Sequence, residues 1–279
     1  MAAQKYFTND REIRIFGLQR SGIHALANWI IQQSKPPALF VNDVKSLLGN
    51  PFSSTSDFHW HSRGGAFDVG RERKGNHVRK RLLMMVYEDT DLRHIPIGFD
   101  EMIREGVGSS RRVHNLLIVR DPYNLFASRF GFHNTANRRP MDSHGGVVVE
   151  LWKCHAKELL GRTSFLGKQA LRVSYNRWFS DVMYRQELAR SLGMAFTDSG
   201  IQSVPGVGLA ASEFPRFGCG SSFDRQRFHG RAQEMDVLNR WKRFRNDPRY
   251  RKLFRDADLL SLARESFGDL PEVTRDETV

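Results

Sequence analysis

Near its start the chain reads EIRIF, then GLQRSG, then IHALANWIIQQ with no linker between them. The alternating segment suits a strand, the glycine-bracketed turn is the size of a phosphate group, and the third segment opens a helix. Leu26, Trp29 and Ile30 fall at i, i+3 and i+4 of that helix, a stripe that packs on a sheet. Gly17 and Gly22 bracket the turn. Backbone amides at a helix start lack intrahelical partners, so this junction can bind an anion.

The same alternation continues along the chain. Apolar runs at Ile13 to Phe16, Leu82 to Tyr87, Leu116 to Val119 and Leu171 to Val173 are separated by helical patterns. That order predicts an α/β fold with a mostly parallel central sheet and helices on both faces. A helix is expected from about Val147 to Leu160, stopping at Gly161. His61 to Lys80, Gly131 to Gly146 and Asp198 to Ser222 read as loops, placed where parallel sheets hold ligands. With 279 residues the chain is expected to form a single domain, 1–279, with its core at about 12–267 and a frayed polar tail at 268–279.

Gly17 to Gly22 has the G-x-x-x-x-G spacing of a nucleotide phosphate loop, but Ile23 and His24 stand where that loop needs Lys and Ser or Thr. The missing pair grips terminal phosphates and magnesium. A cradle without it points to transfer chemistry that runs without the metal.

The net charge of +12 attracts anions before any site is considered. Much of it lies in two clusters, Arg63 to Arg81 and Arg240 to Arg255. Such runs commonly form solvated faces, and no zinc-finger spacing or RRM signature points to nucleic acid. No apolar run is long enough to span a bilayer, and the start lacks a signal-like stretch, so a cytoplasmic enzyme is expected. Cys154 and Cys219 are too few and too far apart for a disulfide framework.

LLIVRDPYNLFASRF repeats the logic of the first junction. Arg120 ends an apolar strand, Asp121 stands at an N-cap and Pro122 at the first helical position. Ser128 lies about two turns into the helix, so Arg120 and Ser128 can converge on one phosphate. The alternative is a structural Arg120 paired with Asp121.

Taken together, GLQRSGIHALANW and VRDPYNLFASRF resemble the sulfotransferases that use 3′-phosphoadenosine 5′-phosphosulfate (PAPS). In that family a P-K/R-S-G-T-T loop binds the 5′-phosphosulfate, and an Arg and a Ser eight residues apart bind the 3′-phosphate. Arg20, Ser21 and Gly22 match the first motif; Arg120 and Ser128 match the second. RVSYNRWFSD is similar to the family's V-R-Y-E-D-L segment, which places Tyr175 near adenine, although Asn176 replaces the acid. GCGSSFDRQRF and VLNRWKRF are similar to the C-terminal loop and Trp-containing helix of bacterial members. The resemblance implies a P-loop-like sulfotransferase fold, PAPS as donor and adenosine 3′,5′-bisphosphate as product. Ile23 and His24 replace two threonines, so the backbone cradle persists while His24 either offers a ring N–H to the sulfonate or packs at the helix start.

In sulfuryl transfer, charge accumulates on the leaving phosphate. Arg20, with the amides around Ser21 to His24, is expected to stabilise it. A base must also take the acceptor's proton. Relatives use a His or a Glu near the end of a central strand, and Glu88 is the first candidate, with Asp89, His59 and His61 behind it. His59 and His61 share a face of an extended strand, but no third ligand at motif spacing supports zinc. Two other functions compete, a P-loop kinase or NTPase and a non-catalytic polyanion-binding module. The acceptor is an unidentified hydroxyl or amine compound; the basic clusters are compatible with an anionic glycan.

Overall fold

The computed structural model describes residues 7–62, 67–132, 141–201 and 238–268, with side chains at all of these except 130–132 and 141–144. Strands β1 (Glu12–Gly17), β2 (Ala38–Val41), β3 (Phe58–His61), β4 (Leu82–Glu88), β5 (Val113–Val119) and β6 (Leu171–Ser174) form one sheet in the order β3-β2-β4-β1-β5-β6. β3 pairs antiparallel with β2, and every other pairing is parallel. The helices are α1 (Ile23–Gln32), α2 (Pro51–Ser54), α3 (Val69–Arg73), α4 (Phe99–Val107), α5 (Pro122–Phe132), α6 (Met141–Leu159), α7 (Tyr175–Ser180), α8 (Val182–Ser191), α9 (Pro248–Leu253) and α10 (Ala257–Phe267).

Period-two alternation along the strands makes two apolar faces. Leu82, Met84 and Val86 of β4 join Ile13 and Ile15 of β1 against α1, α7 and α8, where Trp29, Trp178 and Leu188 are buried. Leu83, Met85 and Tyr87 face the other way with Phe16, against Ile103 of α4, Phe126 of α5, Trp152 of α6 and Leu259 of α10. Glu88 shares the parity of Leu82 and Val86, so it emerges on the α1 side. β1 lies between β4 and β5; its connection leaves toward β2, while that of β5 leaves toward β6. The loops after β1 and β5 therefore flank the point where the winding reverses, the usual ligand crevice of such sheets.

All four expected strands are present, and β2 and β3 add to them. The run expected as a loop from His61 to Lys80 contains α3, capped by the Asp68 carboxylate on the amides of Gly70 and Arg71. The expected loop from Gly131 to Gly146 is invaded from both ends by α5 and α6, so α6 begins six residues before Val147. Lys80 is a second correction. It sits in a basic run, yet it is fully buried with Nζ 2.9 and 3.0 Å from the two Glu72 oxygens, the pairing that a buried charge requires. Cys154 is a buried free thiol; Cys219, Arg63, the segment GCGSSFDRQRF and the tail beyond 268 lie outside the described residues. Among the described residues no helix is long and apolar enough to cross a membrane.

Candidate functional site

Gly17 ends β1 beside Glu88 of β4 and Ile118 of β5. A Cβ there would lie 2.9 Å from both Ile118 Cγ2 and Ser21 Oγ, so only glycine lets the loop fold back this tightly. The Ser21 amide donates to the Leu18 carbonyl at 2.9 Å, and Arg20 and Gly22 take φ of 74° and 94°. Gly22 is the N-cap of α1; no side chain among the described residues caps the helix, and its first turn holds no acidic residue. The positive helix start is thus presented to the loop. Ser21 Oγ is buried with no hydrogen-bond partner among the described residues, the state expected of a group built to meet a ligand. Ile23 is 2% exposed in the core under α1, so it can serve an anion through its backbone only.

Asp89 and Arg129 hold the loop from outside. β4 stops at Glu88 and Asp89 turns with φ 54°. Its carboxylate accepts from the Gln19 amide at 3.0 Å and from Arg129 Nη1 and Nη2 at 2.7 and 3.1 Å. Asp89 is therefore a loop anchor, and Glu88 is the carboxylate that faces α1. Sequence reasoning misses Arg129, whose only signal is its proximity to Ser128.

The second junction forms as expected at its cap. Asp121 Oδ1 accepts from the Asn124 amide at 2.8 Å, and Asn176 Nδ2 donates to Asp121 Oδ2 at 2.9 Å. Arg120 is buried; its Nη1 donates to the Arg20 carbonyl at 3.2 Å, and Trp152 Nε1 donates to the Arg120 carbonyl at 2.9 Å. The two junctions are thereby tied to each other. The Tyr175 ring lies 5.0 Å from the Arg120 guanidinium carbon. It also packs against Gly22, where a Cβ would come within 2.2 Å of two ring carbons. Tyr175 is 4% exposed and forms the floor of the loop.

Ser128 meets a residue of the second basic cluster, which the sequence alone places on a charged face. Arg240 Nη1 donates to Ser128 Oγ at 2.6 Å. Asn124 brings it there: its Nδ2 donates to the Leu238 carbonyl at 2.8 Å, and its Oδ1 accepts from the Trp241 amide at 3.3 Å. Burial, and then the neighbouring Arg120 and Arg20 guanidiniums, hold the Arg240 pKa down at about 10. Arg20 is lowered too, by burial first, then by Arg129 and Arg120 against the opposing pull of Glu88. Three guanidiniums from three distant segments thus crowd one side of the loop. An anion bound there would relieve their repulsion.

On the other side, His24 Nε2 lies 3.0 Å from Asn42 Oδ1 and 3.8 Å from Glu88 Oε1. Asn42 Nδ2 donates to Asp57 Oδ2 at 2.8 Å, and His59 Nε2 lies 2.8 Å from Asp57 Oδ1. Burial raises the Glu88 carboxyl above its ordinary range, with His24 opposing and Asp89 and Asp43 adding to the rise. His59 is committed to Asp57 and His61 sits on β3, an edge strand separated from β1 by β2 and β4.

No protein-family model matches the chain, and no curated protein matches it in sequence. Among solved structures, the sulfotransferase domain from the Synechococcus PCC 7002 olefin synthase superposes with a TM-score of 0.50 at 13% identity, covering 96% of this chain and 98% of that one. The chain has the sulfotransferase fold. Mouse sulfotransferase SULT7A1, solved as a complex with PAP, aligns with a TM-score of 0.44 at 14% identity over 88% of each chain. At such identities the sulfotransferase fold shared with the olefin synthase domain survives in strand order and helix placement, because many apolar sequences satisfy the same packing.

Proposed function

We propose that this chain is a PAPS-dependent sulfotransferase that moves a sulfuryl group to an acceptor hydroxyl or amine. One observation carries the reading: Arg20, Arg120 and Arg240 gather around the glycine loop and Ser128, with Arg240 held at a pKa of about 10. Two anionic ends of one nucleotide suit this arrangement. The Ser21 hydroxyl, without a partner among the described residues, the Gly17 and Gly22 cradle and the start of α1 suit the 5′-phosphosulfate. Arg120, Arg240 and Ser128 suit the 3′-phosphate.

The bound nucleotide would supply the sulfuryl group. Arg20 and the amides of Gly22, Ile23 and His24 then stabilise negative charge on the leaving phosphate, the Ser21 amide being held by the Leu18 carbonyl. Charge-assisted contacts are worth about 1.5–3 kcal/mol each, against about 0.3–2 kcal/mol for the helix dipole, so the guanidinium dominates. Glu88 takes the acceptor proton, and its raised pKa makes it a stronger base than an ordinary carboxylate. His24, in the first turn of α1 with Nε2 near both Asn42 Oδ1 and Glu88 Oε1, is the side chain we assign to contact the sulfonate.

The kinase reading is weaker, because Ile23, at the lysine position of a Walker loop, points into the core. Calorimetry tests the choice. Adenosine 3′,5′-bisphosphate should bind tightly and ATP far more weakly; equal affinities would sink the assignment.

A further inference from the structure

The end of β2 bears on the acceptor. β4 lies between β2 and β1, so two strand spacings, about 10 Å, separate the end of β2 from the glycine loop. These parallel strands open on the same edge of the sheet. Past Val41 the chain turns through Asn42 and Asp43, and beside that turn lies an open cavity of about 440 Å³. Its walls are Asp43, Lys45, Asp57, Arg73 and the run 53–56, which is three serines and a threonine.

The wall is pre-formed. Thr55 Oγ1 donates to the Asn42 carbonyl at 2.8 Å and accepts from the Asp57 amide at 3.1 Å, while Arg73 Nε donates to the Phe52 carbonyl at 2.8 Å. Hydrogen bonds and charge link the cavity wall to the transfer site. Asp57 reaches His24 through Asn42, and Asp43 and Lys45 act electrostatically on Glu88.

Small-molecule sites are usually lined by apolar and aromatic side chains with a few polar groups. Among the described residues this lining has no apolar side chain. A phenolic or alkyl acceptor would meet only the aliphatic stems of Lys45, Arg73 and Thr55 there, each ending in a polar group that an apolar surface cannot hydrogen-bond. Its two carboxylates and two cations cancel, so a polyanion gains no net attraction either. A compound rich in hydroxyls meets donors and acceptors on every wall.

Resting on the sulfotransferase reading, we propose that this cavity receives the acceptor and that the acceptor is an uncharged polyhydroxylated compound of the sugar class. One of its hydroxyls is directed toward Glu88 and His24. In the transfer, the bond from sulfur to the bridging phosphate oxygen breaks as a bond to the sugar oxygen forms. The released electron pair stays on the nucleotide phosphate, and the hydroxyl proton passes to Glu88.

Saturation-transfer NMR on the full chain, with and without adenosine 3′,5′-bisphosphate, tests this. The probes are the methyl glycosides of glucose, galactose, mannose and N-acetylglucosamine, with 2-naphthol and 1-octanol as apolar competitors. At least one glycoside should bind, and Ser54→Trp, which fills the cavity, and Arg73→Gln should each weaken it at least fivefold. Bisphosphate affinity, measured by calorimetry on the same samples, should be unchanged in both variants, which shows that they fold. Four silent glycosides overturn the proposal, as does glycoside binding that neither variant weakens, or naphthol or octanol binding that Ser54→Trp removes. If glycosides bind and respond to the variants while the bisphosphate does not bind, the cavity stands and the PAPS reading falls. If the bisphosphate binds and the glycosides are silent, the PAPS reading stands and the sugar site falls.

Discussion

Arg240→Gln is expected to weaken the binding of adenosine 3′,5′-bisphosphate by roughly 10- to 150-fold, the loss of one charge-assisted contact of about 1.5–3 kcal/mol. The fold should hardly notice. In the ligand-free protein two effects oppose each other. The bond from Arg240 to Ser128 at 2.6 Å is charge-assisted and worth about 1.5–3 kcal/mol, of which a neutral glutamine keeps about 0.5–1.5 kcal/mol. Against that, burial and the Arg120 and Arg20 guanidiniums depress the Arg240 pKa to about 10, so the charged side chain costs stability at neutral pH. Arg240 is only half-buried, and after allowance for solvent screening that cost is about 1 kcal/mol. The cost is present below pH 10 and fades as the pH rises through that value. The two effects nearly cancel, so the melting temperature without ligand should stay within about 3 °C of the parent. Calorimetry at physiological salt and a thermal melt without ligand measure both quantities. Unchanged affinity would place the 3′-phosphate elsewhere, and a melting temperature lowered by roughly 10 °C would make Arg240 a structural residue.

Other substitutions probe the remaining parts. Gly22→Ala puts a Cβ within 2.2 Å of the Tyr175 ring at φ 94°. With about 1–2 kcal/mol for the left-handed backbone and about 1–3 kcal/mol for overpacking, urea titration should show a loss of roughly 2–5 kcal/mol. Adding Tyr175→Leu should recover only the packing part, and strict additivity of the two substitutions would contradict the contact. Glu88→Gln should cut turnover by about 10²–10⁴ while bisphosphate affinity is kept; full activity would move the base elsewhere. Because burial raises the folded Glu88 pKa, the cost of its carboxylate to stability builds as the pH rises from the ordinary carboxylate range to that raised value and is fully present above it. The variant should therefore gain stability relative to the parent as pH rises, and a relative loss would contradict the assigned direction. Arg120→Ala should weaken bisphosphate binding and also loosen the loop, since it removes the bond to the Arg20 carbonyl; proteolysis between the two junctions should quicken.

Much of the fold is legible in the sequence because its signals are local. The strands β1, β4, β5 and β6 announce themselves as apolar runs, and the Asp121 cap followed by Pro122 marks the start of α5. β2 and β3 escape such a reading, since ALFV follows two prolines and FHWH, though it alternates, is an edge segment of only 4 residues. Asp89 and Glu88 look alike in sequence. Only the turn at Asp89, with φ 54°, and its pairing with Arg129 separate the loop anchor from the carboxylate facing His24.

By itself the sequence determined the two strand-to-helix junctions, because glycine conformation, N-cap chemistry and apolar periodicity act over a few residues. What only the tertiary structure decided is which charges meet. Arg240, 112 residues beyond Ser128, reaches it through the docking of Trp241 and Leu238 on Asn124. Lys80, from an equally basic run, is drawn inward by Glu72 instead. A charge acts through space and through the burial imposed by its neighbours, and neither quantity is written in the order of the residues.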